Sequence, residues 1–435
     1  MALKEKISAV ADAIRTKTGK SEKLTLDQMP AEIVGIQTGG GSVKEYDVDD
    51  VTFYDYDGTI VYSCSMAEAQ NLMELPTPPE HKGLVFQEWN WTLEEIKSSS
   101  VGADVGPMYD TEDGAVVYNI EVRNEIERNN ICLKFEEVSG ATRNPHVTID
   151  WGDGARETST DAVSFSGIGM EHVYKKNGEY SIRVKKTDPD SDGFKITYVY
   201  TGNRSLISQN MEIDDIIKSV LVGSDCGEID SYTFAGTNVI RHITFHKKLI
   251  LPSNTSLLAN NSGGLNFLAL PPTQTDVYDI ISGCAAVRVI SIPPTVQSCR
   301  IGSPVGLYRI VFPDSVITVD RSGSATSKLK DIRFGNRVQK IESYAFSNAE
   351  RCISELSLPA SLKTLGKSCF TGMYNIKVYR FKSSEPPVME ATGALGISKF
   401  GTQSTKIYVP AGCADAYKAA TNWAALADYI VEEEE

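Results

Sequence analysis

A few stretches of the 435-residue sequence hold residue types that could do chemistry. In "VTFYDYDGTIVYS", Val51–Ser63, Asp55 and Asp57 stand two apart after an apolar run, and carboxylates are among the side chains able to act as nucleophile or general acid. Asp188, Asp190, Asp192 and Gly193 alternate like the opening of a calcium loop, but the twelfth position is Val199 rather than a bidentate Glu. His242 and His246 lie four apart on a predicted strand, both expected to face outward, with no carboxylate or cysteine beside them; zinc takes three or four ligands. Gly19-Lys20-Ser21 ends like a phosphate loop, yet Ile14 stands where its first glycine belongs and no strand precedes it. The eight cysteines are spread singly and read as small buried hydrophobes. These patterns predict no catalytic residue, no metal site and no cofactor.

The Asp55-x-Asp57 pattern resembles the nucleophile motif of haloacid-dehalogenase-type phosphatases. That resemblance implies a helix soon after the motif, a later lysine for phosphate and an acidic pair for magnesium. Here a second strand follows instead, and the module ends near residue 105, too short for a doubly wound sheet. With Val51 and Phe53 before Asp57-Gly58, and Ile60 and Tyr62 after it, the stretch reads as a β-hairpin.

The elements around these residues describe a mainly β, multidomain chain. Net charge is −14, which opposes nucleic acid and anionic membrane surfaces, and no run approaches the length of a membrane span. Residues 1–37 read as short helices for attachment or oligomerisation, with Ile7, Val10, Ala11 and Ile14 on one face, and 38–45 as a Gly-rich linker. Residues 46–105 form a small α+β module with short helices near Met66–Met73 and after Trp91. Residues 106–200 carry "AVVYNIEV", "ICLKFEEV", "HVTIDWGDG", "HVYKKNGEYSIRVKK" and "KITYVYT", strand-like runs separated by turn residues, as in a β-sandwich.

From about 217 onward, within a domain expected over 201–431, one pattern recurs: apolar, two variable, apolar, one variable, apolar. Copies are "IRHITF", "LNFLAL", "VRVISI", "LYRIVF", "LKDIRF", "ISELSL" and "IKVYRF", with "IKSVLV" a first copy, and the spacing is that of a leucine-rich-repeat solenoid. The fourth and sixth places should face a shared core and the third and fifth should face solvent. The outward set is His242, Thr244, Phe267, Ser291, Arg309, Asp331, Arg333, Glu355, Ser357 and Arg380, a mixed polar and aromatic surface suited to recognition. Between copies, "IDSYTFAG", "IESYAFSN" and "LGKSCFTG" should each place a phenylalanine inside the coil.

Three resemblances bear on function. "VTIDWGDG…EHVYKKNGEYSIRVK" resembles the PKD-type immunoglobulin-like domain, which implies a spacer or a carbohydrate-associated module. The repeats, with the ending "KIYVPAGCADAYKAATNWAALADYI", resemble BspA-like leucine-rich-repeat proteins, and imply that Tyr417 and Trp423 pack a capping helix over the last coil. The beginning "ADAIRTKTGKSEKLTLDQMPAEIVGIQ" and the 46–105 module are similar to tail proteins of bacteriophages infecting Gram-positive bacteria. Together they imply a virion tail-fibre or baseplate protein, assembled in the host cytoplasm. Its solenoid would bind a host-surface polysaccharide or protein, and its N-terminal segment would join other tail proteins, in a homotrimer. The alternatives are a cellular BspA-like adhesin and a purely structural tail component.

Overall fold

Asp57-Gly58 does turn a hairpin. Asp57 accepts the Thr59 N–H at 2.8 Å and Gly58 takes φ +89°, a conformation open to glycine without a Cβ penalty. In the computed structural model this hairpin opens a chain described over residues 50–123, 129–201, 216–231, 233–234, 239–252, 257–258, 264–324, 326, 328–349, 353–397 and 405–433. The helices and linker expected at 1–45 lie outside these residues.

The module is built from β1 (Val51–Tyr54), β2 (Ile60–Cys64), β3 (Leu84–Trp89), β4 (Ala103–Val105) and β5 (Pro107–Thr111). β1 pairs antiparallel with β2 and parallel with β4, while β3 pairs with β5. Two short helices, Met66–Ala69 and Leu93–Ser98, each start on a reciprocal cap: Ser65 with Glu68, and Thr92 with Glu95. Val51, Phe53, Trp89, Trp91 and Ile96 close a small core.

Ten strands follow: β6 (Val116–Val122), β7 (Asn130–Glu137), β8 (Val147–Asp150), β9 (Arg156–Thr158), β10 (Ile168–Val173), β11 (Gly178–Lys186), β12 (Phe194–Thr201), β13 (Ile217–Val222), β14 (Cys226–Ile229) and β15 (His242–Phe245). One sheet runs β10-β7-β12-β14 and the other β15-β13-β6-β11-β8-β9. The predicted boundary at 200–201 is therefore not a break in pairing. β13, expected as a first solenoid coil, pairs antiparallel with β6 on one side and parallel with β15 on the other. β14 extends the opposite sheet alongside β12. One continuous core runs from Val116 to Ile430, leaving out buried residues such as Phe267, Ala269 and Val289 that turn toward the module.

The coils then stack as two parallel ladders. The first comprises β16 (Phe267–Ala269), β18 (Val289–Ser291), β20 (Arg309–Phe312) and β22 (Asp331–Phe334). After a break it resumes with β24 (Glu355–Leu358), β26 (Val378–Phe381), β28 (Lys406–Val409) and β29 (Ile430–Glu432). The second ladder, which the repeat pattern did not announce, alternates with it. It contains β17 (Asp276–Tyr278), β19 (Ser298–Arg300), β21 (Thr318–Val319), β23 (Lys340–Ile341), β25 (Thr364–Leu365) and β27 (Val388–Met389). Inside the coils Phe312 stacks on Phe334 at 5.5 Å and Phe346 on Phe370 at 5.6 Å, so the inter-copy phenylalanines do fill the interior. At the far end a helix (Ala414–Ala419) and a 3-10 helix (Ala424–Tyr429) bring Tyr417 and Trp423 against Phe381. Tyr417 Oη donates to the Ser383 carbonyl and Trp423 Nε1 to that of Pro387, so both polar tips are satisfied while their rings seal the core.

Candidate recognition face

The outward column of the first ladder is not one surface. In β22, β24 and β26 burial alternates as predicted, with the third and fifth places of each repeat more exposed than their neighbours. In β16, β18 and β20 both faces are buried. The module covers them, and the cover ends near the gap between β22 and β24.

Of the ten predicted residues, seven sit at this seam. Phe267 stacks on Tyr54 at 4.9 Å, and with Met108, Ala269 and Val289 they form a small apolar cluster joining module to solenoid. Ser291 is fully buried: its Oγ accepts from Asn90 Nδ2 at 2.8 Å and donates to the Asp104 carbonyl at 2.5 Å. Trp91 Nε1 donates to the Ile292 carbonyl at 3.0 Å. Arg309, also fully buried, places Nε 3.3 Å from the Asp104 carboxylate and donates from Nη2 to the Asp50 carbonyl. Asp331 pairs with Arg333, which reaches across to Asp50 at 2.7 Å and to the Val101 carbonyl. Thr244 is buried, and His242 lies half-buried with its ring edge-on to Tyr56 at 5.4 Å. The expectation that these side chains face solvent is thus corrected for Thr244, Phe267, Ser291 and Arg309. Period-two alternation says which residues leave the coil's own core, but not whether another part of the chain waits for them.

The remaining three, Glu355, Ser357 and Arg380, stand clear of the module on a shelf made by β24, β26 and β28. The Arg380 guanidinium lies over the Tyr408 ring at 4.7 Å, pairs with Glu433 at 2.8 Å and touches Glu355. Those two carboxylates raise the Arg380 pKa, Glu355 most, and together outweigh its single positive charge. It offers a planar, stacked cation and ring, the residue types most often found at binding hot spots.

Charge at the seam is strained by burial. Desolvation raises the Asp104 carboxyl above its ordinary range despite the pull of Arg309, because the group has left water almost completely. Burial likewise lowers the imidazoles of His242 and His246. His246, predicted to face outward with His242, instead bonds the Cys226 carbonyl from Nε2 at 2.7 Å and is buried, so the pair does not converge on a metal. Around His242 stand Asp57 and Asp55, which oppose the lowering, and Arg241, which adds to it. A histidine held neutral in the fold takes its proton first in the unfolded chain, so stability falls as pH drops below about 6.5. Replacing His242 by Gln should flatten that part of the curve; urea midpoints of both proteins between pH 7.5 and 5.5 would check it, and parallel curves would refute it.

The other candidate residues have structural duties. Asp55 is buried against His81 Nε2 at 2.9 Å and accepts the Tyr56 N–H, holding the hairpin base. Asp192 accepts the backbone N–H groups of Thr142 and Arg143, Asp188 pairs with Arg143, and Val199 lies inside β12. Asp50, Asn90, Trp91 and Asp104, the module's contributions to the seam, were not singled out in the sequence. The one local sign is Asp104 in "GADVG", a carboxylate bracketed by glycines, and Gly106 is where the backbone passes closest to Ala269.

No curated protein matches the chain. Residues 303–390, from just before β20 to just past β27, match the BspA type leucine-rich repeat region in six copies, and over those coils the chain is similar to that family.

Proposed function

We propose that this protein is an adhesive recognition protein whose repeat solenoid binds a partner displayed on a cell surface. The observation that carries this reading is the open shelf of Glu355, Ser357, Arg380 and Tyr408, on coils within or next to the matched repeats. The module occupies the rest of that ladder, so the shelf is the part left for a partner. The finer reading, a phage tail-fibre or baseplate protein with a PKD-like sandwich, is supported by sequence resemblance in residues 1–200. In that reading the N-terminal segment joins other tail proteins, the assembly is a trimer carried on the virion, and the partner is a host polysaccharide or protein.

The test is binding of fluorescently labelled protein to intact Gram-positive cells of several strains, beside an Arg380→Ala/Tyr408→Ala variant. Surface variants are preferable to removing everything beyond Tyr200, because that cut would strip β13 from β6 and open the shared core. Strain-selective binding should weaken by on the order of thirty-fold in the variant, the equivalent of about 2 kcal/mol for a hot spot. Equal binding by both proteins would remove the shelf from recognition.

A further inference from the structure

Where the module meets the proline turns that follow β16 and β18, a cleft of about 590 Å³ opens. This is within the size range of small-molecule sites, which favour such seams. Its walls include Phe86, Trp89 and Trp91 from the module, and Pro272 and Pro294 from the solenoid. They are held in place from both sides: Trp89 Nε1 donates to the Pro76 carbonyl at 3.0 Å and Trp91 Nε1 to that of Ile292 at 3.0 Å. With both indole N–H groups engaged and both rings nearly closed to solvent, the tryptophans form a carbon floor, and the partly exposed Phe86, Pro272 and Pro294 supply the apolar faces a ligand would meet.

The polar lining has a definite sense. Thr295 donates its hydroxyl proton to the Gln274 carbonyl, and Thr92 donates its own to Glu95 Oε2. What these hydroxyls keep is acceptor capacity, only in part at Thr92, whose Oγ1 already accepts the Glu95 N–H, and Glu88 and Glu95 add carboxylate oxygens. Among the described residues no lysine or arginine lines the cleft, and the nearby Lys247 ammonium is paired with Glu88 at 2.8 Å. An anion would therefore meet no available positive charge. A cation would have to compete with the Lys247 ammonium at Glu88 and with the helix cap at Glu95, whereas the Oε1 atom of each carboxylate is left for a neutral O–H donor. A ligand that brings several O–H donors along one edge and a C–H face on the other fits both the acceptors and the flat walls.

We infer that this cleft is a binding site for a neutral saccharide unit. The inference is independent of the shelf, which lies on other coils, so either can fail without the other.

All four tryptophans are buried, but Trp89 and Trp91 line the cleft, while Trp151 lies beside β8 and Trp423 in the C-terminal cap. Tryptophan emission of the full chain can therefore be followed during titration with neutral hexoses, N-acetylhexosamines and their short oligomers, and in parallel with a proline-rich cationic peptide. The expected result is a saturable emission change with at least one saccharide. It should be about ten-fold weaker or absent in Leu93→Arg and in Thr295→Arg, which narrow the cleft from its two opposite sides, with unchanged melting temperatures. Two variants on separate elements guard against one of them misfolding. No change with any saccharide, a change that both folded variants retain, or a response to the peptide alone would each overturn the assignment.

Discussion

Replacing Arg309 by Met should destabilise the protein at neutral pH by about 3–5 kcal/mol, the usual cost of leaving one partner of a buried ion pair alone. Arg309 and Asp104 are both closed to solvent, with Nε 3.3 Å from the carboxylate, and the arginine also holds the Asp50 carbonyl. Asp104 already titrates above its ordinary value of 3.8 because of burial, and removing Arg309 takes away the largest effect opposing that shift. The folded variant then binds its proton at higher pH than the unfolded chain does. Stability consequently falls as pH rises through the interval between the two values, and recovers on acidification. The difference between variant and wild-type stability should therefore shrink as pH falls toward the carboxylate range, although His242 pulls both proteins the other way. Urea denaturation from pH 7.5 to 4.5 reads this directly. Asp104→Leu combined with Arg309→Met removes both charges and should recover most of the loss, since a well-packed apolar pair often replaces a buried ion pair without penalty. A neutral single variant, or a double variant as unstable as the single, would show that the seam is not held in this way.

Gly106→Ala should lift the module from the solenoid without melting the later coils. A Cβ at position 106 would lie 2.3 Å from the Ala269 Cβ and 3.0 Å from the Phe267 ring, far inside van der Waals contact. The Gly106 N–H donates to Asn90 Oδ1, which ties this strand to the bonds on Ser291, so the backbone has little room to retreat. Overpacking of this kind costs about 1–3 kcal/mol in a core. Here it falls at the narrowest point of the seam, where separation is an available relief. Hydrogen exchange should show protection lost around 86–111 and on β16 and β18, but kept on β22, β24 and β26. Ala269→Gly in the same chain removes the atom that is struck and should restore much of the protection. Loss of protection through the whole solenoid would mean that the module is a required part of its folding nucleus rather than a separable cover. Unchanged protection would mean that the strands are not so closely seated.

Much of the architecture is legible in local pattern because local pattern is what causes it. The Asp57-Gly58 turn needs only a side-chain acceptor and a residue tolerant of positive φ, and both are adjacent in sequence. Each repeat strand follows from apolar residues at two-residue spacing, and stacking follows because a single coil cannot bury Ile332 and Phe334, or Leu356 and Leu358, by itself. The phenylalanines at 346 and 370 could be foreseen for the same reason, because large apolar rings at a regular interval must share an interior, whereas the Tyr417/Trp423 cap was implied by the resemblance to BspA-like repeats. The second ladder was less visible, because strands such as Thr318–Val319 and Thr364–Leu365 are too short to show a period.

What the sequence by itself determined is therefore the kind of surface: a parallel ladder that sets polar and aromatic side chains on one face of a repeat. Only the tertiary structure decided which part of that face is left open. Phe267, Ser291 and Arg309 obey the same outward rule as Glu355, Ser357 and Arg380. The first three are buried because Tyr54, Asn90 and Asp104 arrive from residues 201 to 213 positions earlier in the chain. Complementarity of that range lies in the pairing of two distant patterns, each unremarkable alone. An arginine on a sheet face reads the same whether its carboxylate comes from a partner or from its own chain.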